Sequence, residues 1–229
     1  MIIVHENLNE EANRIAKAIE EAFGVKSRIE NQNIEEVLTH IPEFNGYTFK
    51  SWELPQTRLS KVISEGKAAL LLTSRDLFYQ IVSRNDDWIF GACDPNNALS
   101  IASTARMKRF DNKPSEKLEV PLDRYFKRLI TMSVHEVKHG TPDAEHYQPA
   151  VWVNSKTGYE LPLGLHCTDN RCAMYEVVDV IAPPTNEGFM RLGNEIRYDA
   201  GLDNVIDKLH PHLFCERCRS SIKIDERFI

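Results

Sequence analysis

The sequence predicts an α/β protein, a mixed β-sheet with packed helices followed by a C-terminal part rich in cysteine and histidine. Three patterns carry that expectation. Residues 2–29 read as strand, helix, strand. A long run of apolar residues at helical spacing follows Pro121. Four of the five cysteines fall between Cys167 and Cys218.

The opening β-α-β reading starts with Ile2-Ile3-Val4, a short buried strand. From Asn9 to Phe23, Ala12, Ile15, Ala16, Ile19 and Phe23 recur at helical spacing, and Gly24 stops the helix. Val25 to Ile29 is the second strand. Residues 31–55 are broken by Pro42, Gly46 and Pro55. A helix is expected at Gln56–Glu65, then a buried strand at Ala68-Ala69-Leu70-Leu71-Leu72, with Asp76-Leu77-Phe78-Tyr79 just beyond it. The apolar runs Trp88–Cys93 and Ala98–Ala102 flank Asp94-Pro95-Asn96-Asn97 and read as a hairpin. Residues 109–118 are polar and read as a loop. Pro121 suits the first turn of a helix whose apolar stripe is Leu122, Phe126, Leu129, Ile130, Val134 and Val137. After Gly140 the chain reads as irregular to Pro162. A second variable stretch covers 183–211, with a short helix near Asn204–Leu209.

Size and charge narrow the function classes. The 229 residues suit a single domain spanning 1–229, with an N-terminal α/β part at 1–139 and a C-terminal part at 140–229. Hydrophobic residues make up 42% and charged residues 27%, ordinary for a globular enzyme. The net charge of −6 gives no general attraction to phosphate backbones, so nucleic acid is not the expected partner. No apolar run is long enough to span a bilayer, and the N-terminus lacks a signal-peptide layout. A cytoplasmic, monomeric protein is the expectation. In a reducing compartment the cysteines are not expected to form disulfides, and their clustering points to metal.

His135-Glu136-Val137-Lys138-His139 is an HExxH motif. Positions four apart share one helix face, so both imidazoles can reach one zinc. Glu136 beside them can take a proton from water. A solvated helix face with two incidental histidines is the bland reading. A catalytic zinc usually takes a third protein ligand. Two places can supply it, Glu145-His146 or His166 within Leu163-Gly164-Leu165-His166-Cys167.

Cys167 and Cys172 lie close in sequence, and Cys215-Glu216-Arg217-Cys218 is a CxxC. Two close pairs of thiolates match a tetrahedral structural zinc site that would staple the chain end in place. A dithiol redox pair and an iron–sulfur cluster are the rivals. Cys93 sits in an apolar hairpin and reads as a core thiol. His5, His40, His210 and His212 have no partner at ligand spacing. Asp76 reads as a turn residue that is also within reach of a site.

Together these residues resemble the archaemetzincins, a branch of the metzincin zinc peptidases whose pattern is HExxHxxGxxHC, four residues, CxM, then a later CxxC. His135-Glu136-x-x-His139 matches the start. Leu163-Gly164-Leu165-His166-Cys167, then Cys172-Ala173-Met174, match the middle, and Cys215-x-x-Cys218 the end. Leu72–Phe78 and Trp88–Ala92 are similar to the family's strands before the motif helix. The resemblance implies a zinc metallopeptidase with two zinc ions per chain. His135, His139 and His166 would hold the catalytic one, with Glu136 as general base. Cys167, Cys172, Cys215 and Cys218 would hold the structural one. Met174 would be the Met-turn residue, where a plain core methionine is the alternative. Peptides, acted on in aminopeptidase fashion, are the implied substrates.

Two departures stand out. Residues 140–162 separate His139 from the Leu-Gly-Leu-His-Cys run, and the connection from Met174 to Cys215 is long. Both read as insertions beside the site. They leave room for a catalytically inactive zinc-binding pseudo-peptidase acting as an interaction module. A nucleic-acid module built on the cysteines has only Arg217, Arg219 and Lys223 in its favour.

Overall fold

The computed structural model describes residues 1–42, 46–50, 59–63, 67–78, 88–111, 113–177, 180 and 188–229. The chain divides into two compact units. The first comprises Met1–Arg109, Lys113–Thr141 and Lys223–Ile229, the second Phe110–Asn112 and Pro142–Ile222.

The first unit opens with β1 (Ile2–His5), α1 (Asn9–Phe23) and β2 (Arg28–Asn31). β1 and β2 pair in parallel, so the β-α-β opening stands. α1 buries Ala12, Ile15, Ala18, Ile19 and Phe23; Ala18, not the expected Ala16, completes the stripe. The helix ends at Gly24, whose φ of 70° is left-handed and whose N–H reaches the Glu20 carbonyl at 2.9 Å.

Next come β3 (Leu38–Ile41), β4 (Gly46–Phe49), α2 (Leu59–Val62), β5 (Ala69–Thr73), β6 (Leu77–Phe78) and β7 (Trp88–Ile89). Then follow β8 (Gly91–Asp94), β9 (Leu99–Ser103) and α3 (Leu122–His139). Part of the helix expected over 56–65 lies outside the described residues, as does Tyr79; α2 is its described portion. The expected hairpin forms between β8 and β9. Its first arm is split, however. Trp88 and Ile89 leave it and pair with β6 instead.

The main sheet runs β2-β1-β5-β9-β8, and only β8 is antiparallel. A smaller sheet runs β3-β4-β6-β7. Strands buried on both faces read as unbroken apolar runs, as β5 does. In the main sheet Ile2, Ala69 and Leu99 share a register row, as do Val4, Leu71 and Ile101. These six belong to one core with Ile34, Val37 and Leu77. The alternate row containing Ile3, Leu70 and Ser100 points to the other face. α3 packs against α1, β8 and β9. Its buried stripe includes Phe126, Leu129, Val134 and Val137, whereas Leu122 is 49% exposed at the helix start.

The second unit overturns the irregular reading of 140–162. β10 (Gln148–Asn154) and β11 (Glu160–His166) form an antiparallel hairpin. β12 (Gly188–Leu192) and β13 (Glu195–Arg197) extend it to a sheet in the order β11-β10-β12-β13. The hairpin escaped the sequence reading because β10 and β11 carry Pro149, Pro162 and Gly164. β11 also exposes Pro162 and Leu165 rather than alternating polar and apolar residues. α4 (Leu202–Ile206) begins two residues before the expected helix, and α5 (Glu216–Ser220) follows the last cysteine pair's first member. No described helix is long and apolar enough to cross a membrane.

Candidate metal centres

The first centre stands on α3, in the first unit. His135 and His139 are one turn apart, and their Nε2 atoms are 3.1 Å from each other. Zinc–nitrogen bonds of about 2.0–2.1 Å in a tetrahedron place two nitrogens about 3.3 Å apart, so the pair fits one zinc. His135 is buried and His139 is half-buried.

Glu136 sits between them in sequence and is held from the sheet side. Ser100 on β9 donates its hydroxyl to the Glu136 carbonyl at 2.9 Å. Gly91 on β8 clears the way for the carboxylate. A Cβ there would lie 2.8 Å from Glu136 Oε1 and 2.5 Å from the Ile101 carbonyl. Only glycine lets the Glu136 side chain lie this close to the antiparallel edge strand. Sequence reading placed Gly91 in the hairpin without seeing this role, which depends on α3 packing over β8.

The second centre lies in the second unit and gathers all four clustered cysteines. Cys167 and Cys215 sulfurs are 3.8 Å apart, and Cys172 and Cys218 sulfurs 3.5 Å. All four residues are buried. Backbone N–H groups donate to three sulfurs: Asp169 to Cys167 at 3.4 Å, Cys215 to Cys172 at 3.3 Å and Cys218 to Cys215 at 3.4 Å. The last of these caps α5, so the CxxC forms a tight turn on a helix start. Such donors favour thiolates. The contact with Cys172 and then burial push the Cys215 thiol well up. A divalent cation reverses that cost, and the donor set suits zinc.

His146, weighed from sequence as a ligand of the catalytic zinc, belongs to this second centre. Its Nε2 lies 3.3 Å from the Cys167 sulfur, 3.3 Å from Cys218 and 3.9 Å from Cys215. Glu145 is exposed and joins neither centre. His166 ends β11 in the second unit, where it is 1% exposed and its Nε2 pairs with the Glu176 carboxylate. Met174 is fully buried, and its carbonyl accepts the Cys167 N–H at 2.9 Å.

Other residues singled out have structural partners. Asp76 takes a two-pronged ion pair from Arg106 at 2.7 and 2.6 Å, and that guanidinium lies over the Trp88 ring. Cys93, expected in the core, is only partly buried on β8. Burial pushes its thiol up to about 12, which keeps it protonated and inert. His210 pairs with Asp169 at 2.8 Å, and His5 accepts the Leu8 N–H at 3.1 Å.

The fold is shared with two solved structures. It is similar to archaemetzincin from Methanopyrus kandleri, with a TM-score of 0.56 and 18% identity, over 96% of this chain and 90% of that one. It is also similar to a zinc-dependent peptidase from Methanocorpusculum labreanum, with a TM-score of 0.60 and 14% identity, over 97% of this chain and 99% of that one. At these identities the likeness establishes a shared fold. The sequence matches no protein-family model and no curated protein sequence.

Proposed function

We propose that this protein is a zinc-dependent peptidase of the archaemetzincin type, with two zinc ions per chain. The observation that carries the reading is the α3 centre: two imidazoles spaced for one zinc, with a carboxylate admitted by Gly91 beside them. His135, His139 and His166 would hold the catalytic zinc. The Glu176 carboxylate would orient the His166 ring, a common arrangement for metal-bound imidazoles. Zinc bound there supplies Lewis-acid polarisation of the scissile carbonyl and acidifies water.

The chain's own residues do the rest. Glu136 takes the proton from the attacking water and returns it to the leaving amine. β8 beside it is an antiparallel edge strand, against which an extended peptide can lie. The resemblance to the archaemetzincins supports an aminopeptidase acting on short peptides. In this reading residues 1–229 are one catalytic domain, acting as a monomer in the cytoplasm, and Met174 is the apolar floor under the catalytic metal.

The test is hydrolysis of short peptides, free and blocked at the amino terminus, by protein of measured zinc content. The expected result is cleavage of the free peptides, abolished in Glu136→Ala with zinc retained. His166→Ala should lower zinc content by one per chain. A fully metallated protein that cleaves nothing, with Glu136→Ala indistinguishable from wild type, would sink the reading in favour of a zinc-binding interaction module.

A further inference from the structure

The thiolate cluster contains one donor more than a tetrahedral site needs. His146, Cys167, Cys215 and Cys218 offer ligand atoms that all lie within 4.8 Å of one another. Cys172 touches the same group, through Cys218 and through the Cys215 N–H. Five buried donors therefore surround a position that takes four.

The distances discriminate among them. Zinc–sulfur bonds of about 2.3 Å and zinc–nitrogen bonds of about 2.0–2.1 Å give tetrahedral edges of about 3.8 Å between sulfurs and about 3.5 Å between nitrogen and sulfur. His146 Nε2 stands 3.3, 3.3 and 3.9 Å from its three sulfurs, straddling the nitrogen–sulfur edge. The Cys167–Cys215 edge is 3.8 Å. Cys172 touches the Cys218 sulfur at 3.5 Å and accepts the Cys215 N–H, but it stands outside the set of four donors that all lie within 4.8 Å of one another.

We propose that the second zinc of this chain is held by His146, Cys167, Cys215 and Cys218, with Cys172 beside the ligand set, against Cys218. This rests on the reading that the cluster binds zinc, and it departs from the four-cysteine set implied by the family resemblance. Charge favours it. Three thiolates and a neutral imidazole leave one net negative charge on the buried site, where four thiolates leave two. The origin of His146 gives the departure a structural reason. It lies in the segment that separates His139 from the Leu-Gly-Leu-His-Cys run, in a turn closed by the Tyr147 N–H on the Ala144 carbonyl at 2.9 Å. The inserted segment thus brings a ligand of its own and is anchored by the metal it helps to hold.

Cadmium-113 NMR of the full chain, loaded with cadmium at both centres, tests this. The two sites give separate resonances because one is rich in sulfur. The expected result is a sulfur-site resonance in the three-sulfur, one-nitrogen range, coupled to the His146 ring protons. It should stay in place in both Cys172→Ser and Cys172→Ala. His146→Ala should speed zinc transfer to a chelator by about 10-fold or more. A four-sulfur resonance in the wild type, without His146 coupling and lost in both Cys172 variants, would overturn the proposal while leaving the cluster a zinc site. Absence of any sulfur-bound resonance, with zinc content unchanged in Cys215→Ser, would instead overturn the underlying reading. The wild-type spectrum decides even if a variant fails to fold.

Discussion

The imidazole pair on α3 and the thiolate cluster of the second unit are assembled in opposite ways. His135 and His139 are placed by one helix turn, so their geometry is settled once α3 forms. The thiolate cluster draws donors from a turn, the end of a hairpin, a loop and a helix start, up to 72 residues apart in sequence. The first centre keeps a half-buried histidine at its edge, whereas every cysteine and His146 in the second are buried. An open site suits chemistry, and a closed one suits holding a chain together. The difference shows that local structure can prepare a site by itself, while a closed site is finished only when distant segments are already in place. Such a site then stabilises the arrangement that made it.

That contrast can be broken most severely by removing metal. Zinc bound to a structural site contributes about 10–16 kcal/mol in small metal-dependent domains. Chelation should therefore unfold the second unit while β1, β5 and β9 of the first stay protected. Hydrogen exchange checks this, and retained protection of β10 and β12 without metal would show that the cluster is not structural. At the open site Glu136→Gln should cut turnover on the order of 10²–10⁴-fold, with zinc content unchanged. Steady-state kinetics beside metal analysis would show it. A parallel loss of zinc would mean that Glu136 acts on the site's structure.

The first unit should depend instead on its own buried pairs. Asp76→Ala leaves Arg106 without its partner at a site where the guanidinium side chain is 13% exposed. A loss of about 3–5 kcal/mol is expected, read by denaturant unfolding with both zinc ions in place. Gly91→Ala should cost about 1–3 kcal/mol from forced shifts, and lower turnover further than stability alone explains, because the new methyl group meets Glu136 Oε1. Turnover equal to wild type would show that β8 does not position the carboxylate.

The smallest effect concerns pH. Burial alone would raise the Asp199 pKa, but hydrogen bonds from Asn170 at 2.7 Å and Tyr175 at 2.8 Å hold the carboxyl below the usual range. A depressed pKa stabilises above the ordinary carboxylate range and is lost as pH falls through the lowered value. Asp199→Asn should cost about 1 kcal/mol at neutral pH, less any solvent screening, and the gap to wild type should close on acidification. A constant gap would locate the stabilisation elsewhere.

Much of the first unit was legible in the sequence. α1 falls at Asn9–Phe23 because a strong apolar stripe ends at a glycine that can turn left-handed. α3 was legible from its own apolar stripe, and with it the imidazole pair. The hairpin β10–β11 was not, since prolines and exposed apolar residues hide its alternation, and register there comes from β12 on its other side. Gly91's role was hidden too, because a glycine in a strand does not announce which side chain needs its space. The thiolate spacing announced a metal cluster, but nothing in the spacing of His146 tied it to the cysteines.

The sequence alone determined the elements whose logic is local: the periodic helices, the buried parallel strands, the HExxH face and the paired cysteines. Only the tertiary structure decided which donors share a cluster, that His146 joins the sulfurs and that Glu136 rests against β8. Periodicity and spacing act through a few neighbouring residues, whereas a ligand set is fixed by where folded segments meet.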